Sequence, residues 1–237
     1  MINKTSKHNS EPLFEALSYL SGRYILPSFQ RDFVWKMEQI ENLFNSIRLG
    51  YPLGDMLFWR INLAQTNQNV QNEAFYRFSL HFHEDSNSIA QTKVSLFPSL
   101  DYWVVLDGLQ RLTSLNIGLV GSYNKREESG GPEIEYILYM LVSEDTKNPF
   151  RFLKYDETHG VDGYFNRKTG EKWFRVREIF SVKNAQDLPG IRYLTWSEED
   201  RIVAFKERLN NLTIEFSEIT EFDYNEAKSN KSGLLTE

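Results

Sequence analysis

The residues best suited to chemistry lie where an apolar segment, Tyr102–Leu106, runs into the sequence Asp107-Gly108-Leu109-Gln110-Arg111. The pattern predicts a buried strand that ends on an acid, a turn at one glycine, and a helix with an arginine in its first turn. Such a turn gathers free backbone N–H groups, the positive end of a helix dipole and a guanidinium. The segment therefore predicts a site for a phosphate or a metal–phosphate complex.

Two side chains of this segment have a specific predicted role. Asp107, at the carboxyl end of the predicted strand, is placed to bind a divalent cation or to orient a water molecule. Arg111 opposes the helix macrodipole at its position, a cost that a bound anion would offset. The alternative is a structural turn in which Asp107 caps the helix and Arg111 pairs with a surface acid, since Asp-Gly is a common turn pair.

A second Gln-Arg pair, Gln30-Arg31, lies upstream among aromatic residues that include Phe33 and Trp35. Aromatic neighbours can hold a guanidinium in place and offer a stacking surface to a base. Phe33 and Trp35 are therefore candidate base-stacking residues, and we expect both Gln-Arg pairs to face one ligand. The alternative is a core-lining loop with one arginine whose charged end reaches solvent.

Composition narrows the class of protein. The chain has 237 residues, a formal net charge of −6 and no cysteine, which excludes disulfides, thiolate zinc sites and cysteine nucleophiles. No apolar run approaches the ~20 residues of a membrane span, and the N-terminus lacks a secretory signal, so a cytoplasmic protein is expected. The acidic balance argues against non-specific DNA binding, although basic residues cluster between 147 and 177 and could form a local DNA-facing patch.

The elements that must position these residues follow from apolar periodicity. Helices are predicted over 11–22, 37–49, 108–123 and 197–209, and strands at 24–26, 56–61, 75–83, 102–107, 134–142 and 213–219. Residues 148–170 read as loop-rich. The mixture predicts one α+β domain over residues 11–220, between a flexible N-terminus, 1–10, and a polar tail, 221–237.

Three motifs in fixed order resemble a known family. They are the Gln30-Arg31 segment, the element Ser46-Ile47-Arg48-Leu49-Gly50-Tyr51-Pro52-Leu53-Gly54, and the Asp107–Leu115 segment. Together they resemble the N-terminal domain of GmrSD-type modification-dependent (type IV) restriction systems, which looks like a branch of the ParB/sulfiredoxin-like fold. The resemblance implies an α+β fold, a mixed sheet with flanking helices, and nucleoside-triphosphate binding and hydrolysis with Mg²⁺ in defence against phage.

The resemblance also implies roles for individual residues. Asp107, Gln110 and Arg111 match the family's catalytic motif, with Asp107 as the Mg²⁺ ligand. The implied nucleotide-binding residues are Gln30, Arg31, Gly108, Arg111, Thr113 and Ser114. Leu109 stands where the family usually has glutamine, so we expect weakened turnover, which a glutamine at 109 would raise.

The partners follow from the same resemblance and from what the chain lacks. Its four histidines form no His-Asn-His arrangement, so no nuclease centre is expected here. Family members often continue into a helical region and an HNH nuclease domain, and an HNH-type nuclease supplied in trans is the expected partner, with modified DNA as a further one. The competing hypothesis is a catalytically inactive ParB-like module that binds DNA or a partner, or a truncated remnant.

Overall fold

A computed structural model describes residues 7–64, 70, 73–84, 92–127, 130–156, 163–182 and 194–220 of the chain. Its helices are α1 (Leu13–Tyr19), α2 (Met37–Arg48), α3 (Leu109–Leu119) and α4 (Trp196–Asn210), with a 3₁₀ turn at Val176–Glu178. They combine with two mixed sheets, which confirms the predicted α+β class. Residues 1–6 and the predicted polar tail lie outside the described residues.

The first sheet carries the strand that leads to the predicted site. Within the described residues it has seven strands in the order β1-β13-β3-β7-β2-β4-β6. Their bounds are β1 Lys7–Pro12, β2 Tyr24–Pro27, β3 Met56–Asn62, β4 Phe75–Tyr76, β6 Lys93–Val94, β7 Asp101–Asp107 and β13 Thr213–Ile219. Strands β2 and β7 are parallel neighbours. Their carboxyl ends therefore lie at the same edge of the sheet, so the Gln30-Arg31 segment and Asp107 emerge side by side.

The second sheet covers the other side of α3. Its order is β11-β12-β9-β8-β5 among the described residues, and β10 pairs with β9 as well. The strands are β5 His81–His83, β8 Ser122–Arg126, β9 Glu133–Leu141, β10 Phe150–Lys154, β11 Gly163–Phe165 and β12 Lys172–Arg175. Helix α3 contacts β8, β9, α2 and the 3₁₀ turn, so it lies in the middle of the main hydrophobic core.

Both faces of β7 are buried, because successive side chains alternate between two cores. Val105 belongs to the main core, whereas Tyr102, Val104 and Leu106 pack in a second cluster on the opposite face. A strand buried on both faces reads as a continuous apolar run, which is the pattern that Tyr102–Leu106 shows.

Several predicted elements needed correction. Phe75–His83 is not one strand: β4 pairs with β2 and β6, whereas β5 pairs with β8 in the other sheet. Helix α3 ends at Leu119, not near Tyr123, because the chain enters strand β8 at Ser122 and pairs there with β5. The loop-rich stretch contains β10 and β11.

The first helix is also shorter than predicted. It begins at Leu13, because Lys7–Pro12 forms β1 and pairs antiparallel with β13. The structure therefore places an edge strand within the segment for which a flexible N-terminus was predicted. The last helix and the last strand match their predicted ranges to within one residue.

Candidate functional site

The turn between β7 and α3 depends on Gly108. Its φ of 102° is in the left-handed region, and an added Cβ would lie 2.6 Å from Sδ of Met56, so the turn requires a glycine. The predicted strand and the predicted helix start within two residues of Gly108 are confirmed, since β7 ends at Asp107 and α3 begins at Leu109. No side chain caps α3 in the described structure, so its first-turn N–H groups are left for water or a ligand.

Arg111 is anchored to the loop that joins α2 to β3. Its Nη1 donates to the carbonyl of Leu53 at 2.6 Å, and its Nη2 donates to the carbonyl of Asp55 at 3.0 Å. Nη2 also lies 3.3 Å from Oδ2 of Asp107, one helical turn earlier. These acceptors offset the cost of placing a cation at a helix N-terminus. The guanidinium keeps its Nε–H and one Nη1–H for a ligand.

Gln110 holds the other loop of the site. Its Oε1 accepts the N–H groups of Val34 and Trp35 at 3.0 and 3.3 Å, and its Nε2 donates to the carbonyl of Asp32 at 3.1 Å. The side chain is buried and its amide is engaged at both ends. In this arrangement Gln110 positions the Gln30-Arg31 segment, and its catalytic role stays a prediction.

The Gln30-Arg31 segment is thereby brought to the N-terminus of α3. Arg31 is exposed, and the side-chain oxygen of Gln30 is buried with no hydrogen-bond partner among the described residues. Phe33 is 1% exposed and packs edge-on against Phe82 at a centroid distance of 4.8 Å, so it offers no free face to a base. Trp35 is only partly buried, and base stacking by Trp35 stays a prediction.

Thr113 and Ser114 lie beneath the site. Both are buried, and neither hydroxyl has a hydrogen-bond partner among the described residues. They face the interior of the core that surrounds α3. Direct contact between these hydroxyls and a nucleotide stays a prediction, and it would require the residues that cover them to move.

The site also contains two acidic residues, Asp32 and Asp55, that the sequence analysis did not single out. The backbone carbonyls of Asp32 and Asp55 are held by Gln110 and Arg111, and the side chains of both are exposed, as is that of Asp107. Asp32 directly follows the upstream Gln-Arg pair, and Asp55 directly follows the glycine that ends the middle motif. Their position next to two recognised motifs was the available signal.

A bound Mg²⁺ fits this site only together with a ligand. Within the described residues, no three histidine or acidic side chains are grouped closely enough to hold a metal ion. Asp107, whose side chain is 56% exposed, can contribute one carboxylate. Mg²⁺ commonly takes one or two carboxylates and completes its shell with water and substrate phosphates. The residues therefore suit a Mg²⁺–phosphate complex better than a resident metal.

A cleft of about 510 Å³ adjoins the loop that Arg111 holds. Its walls are Gly50–Asp55 and, across from this loop, residues at the end of α4 and the start of β13, including Arg208 and Glu215. The volume is in the range of small-molecule pockets. Because one loop both accepts the Arg111 hydrogen bonds and lines the cleft, a change at one is expected to affect the other.

The basic residues between 147 and 177, which the sequence offers as a local DNA-facing patch, include several that form ion pairs. In the basic cluster between 147 and 177, Arg151, Lys172 and Arg177 each pair with an acid, at distances of 3.5, 2.7 and 3.5 Å. These ion pairs favour structural roles for those three residues over a DNA-facing patch.

Two comparisons with known proteins found similar sequences. The model of the family described as "GmrSD restriction endonuclease, N-terminal domain" matches residues 13–233. The chain is also 31% identical over 129 residues to the uncharacterized protein MJ0686 of Methanocaldococcus jannaschii, a match that covers 54% of this chain and 20% of that protein. Among the described residues, no helix combines the length and apolar character needed to cross a membrane.

Proposed function

The chain belongs to the family of GmrSD restriction endonuclease N-terminal domains, and from that premise we propose that it binds a nucleoside triphosphate and hydrolyses it. In this proposal it is the regulatory module of a cytoplasmic type IV restriction system. The nucleotide state would control a nuclease of the HNH type, supplied by a partner domain or subunit, that cleaves modified DNA.

The observation that carries the proposal is the pairing of Asp107 with Arg111 at the N-terminus of α3, where Gln110 also holds the loop that carries the exposed Arg31. The uncapped N–H groups of the first turn would bind phosphate oxygens, and the positive end of the helix favours their charge. Arg31 would reach the same phosphates from the loop that Gln110 holds. Arg111, already fixed by the carbonyls of Leu53 and Asp55, would offer its remaining N–H groups without losing that support.

Hydrolysis would follow by attack of water on the terminal phosphate. Asp107 would hold Mg²⁺ or orient the water, and Mg²⁺ would neutralise charge on the phosphate oxygens. Arg31 and Arg111 would stabilise the charge that develops in the transition state. In this proposal Gln110 would contribute indirectly, because it fixes the segment that carries Arg31.

A second candidate is a binding module that no longer turns over nucleotide. Leu109 has no amide to offer to a phosphate or water. Its side chain is 3% exposed and packs in the main core. The amide of Gln110 is also engaged with the loop, through its oxygen and through one N–H of its nitrogen. Both observations leave Asp107 and the two arginines as the groups available for chemistry.

The test is a thermal-shift series with the four nucleoside triphosphates, with and without Mg²⁺, followed by phosphate-release assays. A ligand that binds only the folded state raises its melting temperature. Asp107→Asn should abolish phosphate release and retain the nucleotide-dependent shift, whereas Arg31→Gln should weaken binding about tenfold or more. Arg77→Gln, a change at an exposed arginine outside the site, is the matched control.

Arg31 is a cleaner probe of binding than Arg111. Replacing Arg111 removes its hydrogen bonds to Leu53 and Asp55 and would lower stability whether or not nucleotide binds. Absence of any triphosphate-dependent shift in the wild type would overturn the proposal. A shift without phosphate release would support the binding module instead.

A further inference from the structure

A second cavity lies away from the α3 site, between the C-terminal end of α2, one face of α4 and the segment that joins β9 to β10. Its volume is about 220 Å³, and three arginines line it: Arg48, Arg201 and Arg208. It shares no lining residue with the Asp107–Ser114 or Gln30–Trp35 segments, although Arg208 also lines the larger cleft beside the loop that Arg111 holds. In a chain with a net charge of −6, this concentration of guanidinium groups is unusual.

Two of these arginines are held in place by neutral acceptors. Arg48 donates from Nε and Nη2 to Oδ1 of Asn45 at 3.0 and 2.9 Å, and from Nη2 to the carbonyl of Lys147 at 3.2 Å. Arg201 donates from Nη1 to the carbonyl of Val142. Neutral acceptors fix a guanidinium without cancelling its charge, so both groups are positioned and remain positive.

The third arginine is anchored by packing. Nη1 of Arg208 lies 3.4 Å from the position a Cβ would take at Gly50, so its guanidinium rests on the turn after α2. Its side chain is exposed and has no hydrogen bond among the described residues. All of its N–H groups therefore remain available to a ligand.

None of the three guanidiniums forms an ion pair within the described part of the chain. Glu144 and Asp145 also line the cavity, yet neither pairs with an arginine. The side-chain oxygen of Thr146 is buried there and has no hydrogen-bond partner among the described residues. The cavity thus combines three arginines with only two acids, none of them joined in an ion pair among the described residues, and a polar group that lacks a partner.

Helix dipoles explain this arrangement only in part. Arg48 and Arg208 lie in the last turns of α2 and α4, where a cation is favourable. Arg201 lies inside α4, far from its C-terminal turn, and gains no such benefit. Three like charges around one small cavity repel one another, Glu144 and Asp145 offset part of that repulsion, and a bound anion would relieve more of it.

We propose that this three-arginine pocket binds a phosphate group. Guanidinium groups match phosphate oxygens in pairs of parallel hydrogen bonds, and the hydroxyl of Thr146 would donate a further bond. The phosphate belongs either to a small molecule, such as inorganic phosphate, or to the backbone of DNA. The chemistry is shared, and the two sources are separated by experiment.

The first arm measures the melting temperature of the full chain as inorganic phosphate is added at constant ionic strength, without nucleotide or Mg²⁺. The wild type should show a phosphate-dependent increase. Arg208→Gln should weaken phosphate binding about tenfold or more. It should change the phosphate-free melting temperature only slightly, because the exposed Arg208 side chain has no hydrogen bond among the described residues and loses only its packing on Gly50 and its favourable place in the last turn of α4. Arg208→Lys should retain part of the increase, and Arg77→Gln all of it.

The second arm measures binding of a fluorescent DNA duplex by anisotropy over a series of salt concentrations. If the pocket holds a backbone phosphate, Arg208→Gln should weaken binding and lower the salt slope by about one. A phosphate-dependent increase that Arg208→Gln removes, with DNA binding unchanged, identifies a small phosphate ligand. Equal behaviour of wild type and Arg208→Gln in both arms overturns the proposal, whatever the outcome at Asp107 and Arg31.

Discussion

The side-chain oxygen of Gln110 accepts the backbone N–H of Val34 at 3.0 Å, although 76 positions separate the two residues in the sequence. The same oxygen accepts the N–H of Trp35, and the amide nitrogen donates to the carbonyl of Asp32. One buried side chain thus satisfies three backbone groups of a loop that has no regular structure. The loop carrying Arg31 is positioned by this contact.

Replacing this side chain should loosen the loop. Gln110→Ala removes all three hydrogen bonds, and we expect a loss of about 1–3 kcal/mol in the free energy of unfolding, measured by urea denaturation. Gln39→Ala is a suitable control, since the side-chain oxygen of Gln39 accepts one exposed N–H, that of Lys36. A loss no larger than that of Gln39→Ala, which removes one hydrogen bond, would contradict the positioning role of Gln110.

Gly108 should tolerate no side chain. Alanine would be strained at a φ of 102°, and its Cβ would overlap Sδ of Met56, so Gly108→Ala should cost about 2–4 kcal/mol. Gly170 has a φ of 79° and no atom within 4 Å of the added Cβ. Gly170→Ala therefore reports the backbone strain alone, and the difference between the two melting temperatures isolates the contact with Met56.

At position 109, a glutamine should lower the stability of the fold and raise nucleotide turnover. Leu109→Gln places an amide in the main core, and we expect a loss of about 2–4 kcal/mol, whereas Leu109→Met should cost less than about 1.5 kcal/mol. If the wild type hydrolyses nucleotide slowly for lack of an amide, turnover per folded molecule should still rise in Leu109→Gln. Denaturation and phosphate release measured on the same samples separate the two effects, and unchanged stability would contradict the burial of this residue.

A carboxyl pair near the N-terminus should make stability depend on pH. Burial, together with a hydrogen bond and charge repulsion from Glu15, raises the pKa of Glu11 from 4.5 to about 7. The folded state holds this proton more tightly than the unfolded chain, so the contribution is present below pH 4.5 and is lost as the pH rises through about 7. The melting temperature of Glu11→Gln should therefore rise relative to the wild type across that interval.

The opposite sign is expected at Glu215. Hydrogen bonds from Thr213 and Ser10 lower the pKa of this carboxyl below 4.5. Its contribution is present above the ordinary pKa and is lost as the pH falls through the lowered value. The melting temperature of Glu215→Gln should therefore lie below that of the wild type at neutral pH and approach it only in acid. If the melting temperatures of Glu11→Gln and Glu215→Gln, each relative to the wild type, change with pH in the same way, both pKa shifts are contradicted.

The sequence predicted the parts of the site that local pattern determines. Tyr102–Asp107 is recognisable as a strand because both of its faces are buried, and Gly108 marks the turn because only glycine fits the left-handed conformation. The fold class followed from the same periodicity and from the family motifs. These features depend on residues within a few positions of one another.

The parts that depend on distant contacts could not be predicted in this way. Alternating residues over Phe75–His83 suit one strand, but β4 and β5 join different sheets, and pairing partners are not encoded in local alternation. Local pattern also did not predict that the amide of Gln110 is used by a loop more than 70 positions away, and its catalytic role stays a prediction. The three-arginine pocket was missed because its members are separated by up to 160 positions and meet only in the fold.

Nearly all of α3, from Leu109 to Leu119, is buried, with Arg111 as the exception. Amide hydrogens in such a helix exchange with deuterium only when much of the molecule opens, whereas those in the loops around Val34 and Gly54 exchange through small local fluctuations. We therefore expect slow amide exchange in α3 and faster exchange in the two loops that complete the site. A ligand that bridges them would slow exchange in the loops directly, and slower exchange in α3 would measure how much the ligand stabilises the whole molecule.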